Sequence, residues 1–128
     1  MFANAGLMPA SDITRLKVDE WHRMVDVDIK GVFNTVAAVL PILCEKKAGH
    51  IVTTSSIAGR KTSPSLDVYR ATKQAVAAFS DMLSMGGGKT HNIRVTCLRP
   101  EAVESELFEH VSDRPESSGS VPRADARV

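Results

Sequence analysis

The chain has 128 residues, enough for one small domain with a single core. Sixteen Lys and Arg face fifteen Asp and Glu, a formal charge of +1 with the charges scattered, which argues against nucleic acid or an anionic membrane as a partner. Cys44 and Cys97 match no metal or redox spacing and read as buried reduced thiols; no uninterrupted apolar run approaches the ~18 to 20 residues of a membrane span, and no signal-like segment opens the chain, so a cytoplasmic protein is expected.

In chain order, Met1 to Asn4 reads as the end of a strand. From Val18 to Leu43 apolar residues including Trp21, Val25, Ile29, Val32, Val36 and Leu40 recur at spacings of three and four, the stripe of one long helix. Asp19 and Glu20 suit its positive end, and Lys46 and Lys47 follow its close. Ala48-Gly49-His50 breaks the pattern, and Ile51 to Ser56, short and rich in β-branched residues, reads as a buried strand. A second stripe through Ala71, Ala75, Val76, Phe79 and Leu83 predicts a helix from Val68 to Met85, halted by Gly86, Gly87 and Gly88. Asn92 to Leu98 is strand-like again and Pro100 ends it. Strands alternating with long helices predict a parallel sheet with right-handed crossovers, an α/β architecture with few strands. Residues 109–128 are polar and without period, and read as a loop or disordered tail behind a folded part over residues 1–108.

Tyr69 and Lys73 stand four apart at the start of the second helix, so their side chains share a face one turn from each other. A free tyrosine titrates near ~10, too high for efficient proton transfer at neutral pH, and a neighbouring ammonium lowers that value. By itself such a pair is common and usually means a half-buried aromatic beside a solvated lysine. Its company is more specific: Ser56 ends a β-branched strand thirteen residues before Tyr69. Gly86 to Thr90 (GGGKT) has the tail of a phosphate-binding loop, but the glycine that should open it falls on Leu83, and the order of helix and strand is reversed. His22, His50, His91 and His110, on a helix, two loops and the tail, show no ligand spacing, so metal chemistry has little support.

The motifs TTSSIAGR and YRATK, with Asn4-Ala5-Gly6, DVDIKG (Asp26 to Gly31) and HNIRVTCLRPEAVESEL (His91 to Leu107), appear in the order and at the spacing of the short-chain dehydrogenase/reductase family, which this chain resembles from Phe2 to Phe108. The resemblance implies a partial Rossmann-type doubly wound parallel sheet, layered α/β/α, and hydride transfer between NAD or NADP and an alcohol or carbonyl substrate. It implies Tyr69 as general acid/base, Ser56 hydrogen-bonding the substrate oxygen, and Lys73 holding the nicotinamide ribose and depressing the pKa of Tyr69. Asp28 takes the place of an asparagine that holds a water linked to the lysine. Asn4, Ala5, Gly6, Tyr69, Lys73, Pro100, Glu101 and Ser105 are the implied cofactor contacts, and the two long helices the implied interface of a homo-oligomer. The chemistry is self-consistent, since a carbonyl under reduction gains negative charge on oxygen and needs a donor beside it.

The departures carry expectations of their own. A carboxylate at Asp28 should raise the pKa of Lys73 and weaken its pull on Tyr69, slowing proton transfer. Glu101 replaces the glycine of the family's Pro-Gly turn, at a cost of about 1 to 2 kcal/mol if the backbone there is left-handed. Ala3 replaces the first asparagine of the family's Asn-Asn-Ala-Gly, and Ser105 keeps the hydroxyl of a threonine. The family's Gly-rich pyrophosphate turn and the strands around it have no counterpart in these 128 residues, so weak cofactor binding, poor folding and an open sheet edge are expected. Against the oxidoreductase stands one alternative, a truncated inactive remnant acting only as a dimerisation module.

Overall fold

The computed structural model describes residues 1–57 and 65–101. Three parallel strands, β1 (Phe2–Ala3), β2 (Gly49–Thr54) and β3 (Ile93–Leu98), form one sheet in the order β1-β2-β3. Phe2 and Ala3 stand opposite Val52 and Thr53, and β2 pairs with β3 from Gly49 opposite Ile93 to Thr54 opposite Leu98. The first crossover runs through α1 (Val18–Met24), a π-helical turn (Val25–Lys30) and α2 (Gly31–Lys46); the second is α3 (Asp67–Leu83).

Two right-handed crossovers that step the same way across a sheet put both helices on one face. The core has that form: Val32 and Val36 of α2 and Val76 of α3 meet Ala3, Ile51 and Ile93 in one buried cluster. Alternation along β2 points the fully buried Ile51 and Thr53 at the helices, where the Thr53 hydroxyl bonds Ser80 at 2.7 Å. His50, Val52 and Thr54 face the other way, and with Phe2 (56% exposed) and Leu98 (43% exposed) form a face that no helix covers among the described residues. His50 is therefore a strand residue, its ring 2.8 Å from the Thr96 hydroxyl, rather than a loop residue.

The long helix runs as expected from Val18, with Asp19 and Glu20 in its first turn, and closes at Lys47, whose φ of 49° is left-handed. It is not uniformly α: the Gly31 N–H donates to the Asp26 carbonyl five residues back, one wide turn in the middle of the helix. Over Val18–Lys46 an 18-residue stretch has a mean hydropathy of 1.6, so the helix is apolar and long enough to cross a membrane, contrary to the expectation drawn from uninterrupted apolar runs. Asn34 and Thr35 break the run while barely lowering its average, and Val32 and Val36 are committed to the sheet.

The triple glycine does not halt the second helix. Ser84–Gly88 is another π-helical turn, and the helix continues to Thr90. A Cβ on Gly88 would lie 2.8 Å from the Ile93 carbonyl and 3.3 Å from that of Leu83, so glycine is needed for the close approach of β3 rather than as a stop. Cys44 and Cys97 are free thiols, half-buried rather than buried.

Candidate active site

Parallel strands bring their carboxyl ends to one rim of the sheet, where ligands bind in open α/β folds. Here that rim is built from residues 4–6 after β1, 55–57 after β2 and 99–101 after β3. Cross-bonds hold the three segments together: Thr54 Oγ1 donates to Asn4 Oδ1 at 2.9 Å, the Ser55 N–H to the Leu98 carbonyl at 2.8 Å, and the Ile57 N–H to the Pro100 carbonyl at 3.0 Å.

Tyr69 and Lys73 enter from the first turns of α3, both buried (5% and 4% exposed), with Lys73 Nζ 5.6 Å from the centre of the Tyr69 ring. The ring is wedged against Met8 and Met24, which fixes the direction of its hydroxyl. Ser56, at the end of β2, hydrogen-bonds that hydroxyl, so the serine and tyrosine paired by sequence spacing meet in space. Ser55 Oγ donates to the Lys73 backbone carbonyl at 2.7 Å and pins the helix turn that carries the lysine.

Asp28 reaches the same centre from the π-helical turn. The extra residue in that turn rotates Asp28 inward, fully buried, while Asp26 and Lys30 pair with each other at the surface at 2.6 Å. Asp28 Oδ1 accepts the Leu7 N–H at 2.7 Å, and Oδ2 lies 2.9 Å from Thr72 Oγ1. The carboxyl thus ties the loop after β1 to the helix that carries Tyr69 and Lys73. Ser55 and Thr72 were missed by sequence reasoning; the one available signal was position, each standing immediately before a recognised residue.

Burial dominates the electrostatics. It pushes Tyr69 above its usual value, against the Ser56 hydrogen bond, and Asp28 pushes the same way. This corrects the expectation that Lys73 depresses Tyr69: the phenol is held in its protonated form. Burial also lowers Lys73, with Asp28 and then Cys97 opposing, so Asp28 supports the ammonium as expected but loses to desolvation. Asp28 itself is raised, chiefly by burial, against the Leu7 N–H, Lys73 and Thr72.

The residues present fit a ribose held at Lys73. A Cβ on Gly6 would lie 3.0 Å from Lys73 Nζ, so any side chain there would press on the ammonium, and glycine leaves the space beside it open. Of the three hydrogens on Nζ, one goes to the Thr54 carbonyl at 3.3 Å, which leaves two further donors on the ammonium. Asn4, Ala5, Gly6, Pro100 and Glu101 all lie on the rim; Ser105 lies outside the described residues. Glu101 has no positive φ, so the left-handed cost does not arise there.

The family model described as short chain dehydrogenase matches residues 1–116. An uncharacterized oxidoreductase of Listeria monocytogenes is 45% identical over 120 residues, covering 93% of this chain and 48% of the relative, so the chain spans about half the length of the curated relatives it matches. Among solved structures, a gluconate 5-dehydrogenase from Burkholderia cenocepacia in complex with NADP and tartrate superposes with a TM-score of 0.81 at 26% identity, covering 88% of this chain and 44% of that one. A 3-oxoacyl-[acyl-carrier protein] reductase with bound NAD from Brucella melitensis gives 0.73 at 39% identity, over 78% and 40% of the two chains. With the parallel sheet, the Ser56–Tyr69 contact and Lys73 behind it, these matches show that the chain belongs to the short chain dehydrogenase family.

Proposed function

We propose that the chain carries the proton-transfer half of an NAD- or NADP-dependent oxidoreductase acting on a small alcohol or carbonyl compound. The observation that carries this is the buried set of Ser56, Tyr69 and Lys73 at the carboxyl rim. A bound nicotinamide would supply or accept the hydride. Lys73 would hold its ribose, with the passage beside Gly6 giving access and residues 4–6 and 100–101 flanking it. Tyr69, protonated at neutral pH, donates to the substrate oxygen in reduction and takes the proton back in oxidation, and Ser56 gives that oxygen a second hydrogen bond. The free thiols suit a reducing cytoplasm. Apolar side chains on the outer helix face, Phe33 (41% exposed) tilted against Phe79 with ring centres 4.7 Å apart, suit assembly with a second copy.

The dimerisation-module alternative is not favoured, because a docking surface has no use for a buried tyrosine hydrogen-bonded to a serine beside a buried lysine. The test is Tyr69→Phe in a background that turns over, followed as nicotinamide absorbance with a panel of aldehydes and ketones. The expected loss in kcat is about 10²- to 10⁴-fold, the usual contribution of a positioned acid/base. Turnover within threefold of wild type would sink the assignment of Tyr69.

A further inference from the structure

The Thr72 hydroxyl poses a problem of hydrogen count. Its oxygen lies 2.9 Å from Asp28 Oδ2 and 2.8 Å from the Tyr69 carbonyl, both geometries those of a donor, and a hydroxyl has one hydrogen. With Asp28 as a carboxylate, that one hydrogen must be split between two acceptors, so neither contact gets a full hydrogen bond inside a site where Thr72 is 1% and Asp28 0% exposed.

We propose that Asp28 is held in the native fold as a neutral carboxylic acid whose Oδ2–H donates to the Thr72 hydroxyl, freeing the Thr72 hydrogen for the Tyr69 carbonyl. Every contact is then satisfied: Oδ1 accepts the Leu7 N–H, Oδ2 donates to Thr72, and Thr72 donates to the helix turn that carries Tyr69. The titratable groups acting on Asp28 are Lys73 and Tyr69, both on α3. Asp26 and Lys30 on its own turn are paired at the surface, the loop after β1 offers the Leu7 backbone N–H, and Cys97 of β3 acts on Lys73. Lys73 hydrogen-bonds the Thr54 carbonyl, so its pull on Asp28 is through space. Complete burial is the largest influence on this carboxyl and favours its neutral form.

The consequence rests on the proposed function; the hydrogen count at Thr72 does not. A neutral Asp28 accepts one hydrogen bond and donates another, as an asparagine amide would; its pull on Lys73 and Tyr69 belongs to the ionised form and falls away with the charge. It is a positioning residue that acts through Thr72 on Tyr69.

The experiment is infrared spectroscopy of the folded chain at neutral pH, with and without ¹³C-aspartate. The other described aspartates, Asp12, Asp19, Asp26, Asp67 and Asp81, are exposed, so a protonated-carboxyl C=O band that shifts with the label is expected from the buried Asp28. The band should vanish in Asp28→Asn and on unfolding in guanidinium; its absence from the folded wild type overturns the proposal. Urea unfolding of wild type and Asp28→Asn from about pH 4 to about pH 8 gives a second reading. A carboxyl raised in the native state stabilises below the ordinary carboxylate value and loses that stability as pH rises through its native value. Wild type should therefore lose ground to Asp28→Asn by up to about tenfold in unfolding constant per pH unit across that window. No trend, or wild type gaining with pH, overturns it. Neither measurement involves turnover, so failure of the oxidoreductase assignment and failure of this proposal are separable.

Discussion

At the scale of single residues, Thr72 shows how a side chain with no reactivity can matter to a site. Its methyl and hydroxyl are buried between Asp28 and the Tyr69 turn, and its hydroxyl is the protein partner of Asp28 Oδ2. Thr72→Val keeps the shape and removes that partner, which should cost about 1 to 3 kcal/mol, the penalty of a buried polar group left unpaired. Thr72→Ser should recover most of the loss; urea denaturation of the two variants beside wild type reads both. A helical spacing of four and a strand end place Tyr69, Lys73 and Ser56 locally, but it was the resemblance of the surrounding motifs that singled them out as a set. Thr72 and Asp28 meet across 44 residues, and no local period encodes that contact.

At the scale of elements, hydrophobic periodicity found both long helices and the two longer strands, the strands within about two residues and the helix ends short by three at Lys46 and five at Thr90, because apolar stripes are what bind these elements to the sheet. It missed both π-helical turns, since one extra residue shifts the stripe by less than the width of the buried face. The first of those turns delivers Asp28 to the site; the second threads the triple glycine under β3. Gly88→Ala puts a methyl 2.8 Å from the Ile93 carbonyl, backbone against which nothing flexible can yield. We expect a loss of about 1 to 3 kcal/mol from overpacking. Gly86→Ala, where a Cβ meets nothing within 4 Å, should be neutral or gain up to about 1 kcal/mol of helix propensity, and thermal melts of the two side by side check the contrast.

At the scale of the whole molecule, two apolar surfaces compete as sites of association. One is the outer face of α2 and α3, with Phe33, Ile42 (51% exposed) and Met82 (65% exposed); the other is the sheet face left open among the described residues, with Phe2 and Leu98. A closed two-fold dimer needs a self-complementary patch, for which the tilted Phe33–Phe79 pair on neighbouring helices is suited. The sheet face ends in strand edges and favours open-ended association instead. Phe33→Asp should therefore weaken a discrete dimer about tenfold or more, as loss of an aromatic anchor at an interface does, while leaving any larger species in place. Leu98→Lys should do the reverse, removing large species from sedimentation velocity profiles and sparing the dimer. If Leu98→Lys abolishes the dimer and Phe33→Asp does not, the copies meet through the sheet and the helix face is free for another use.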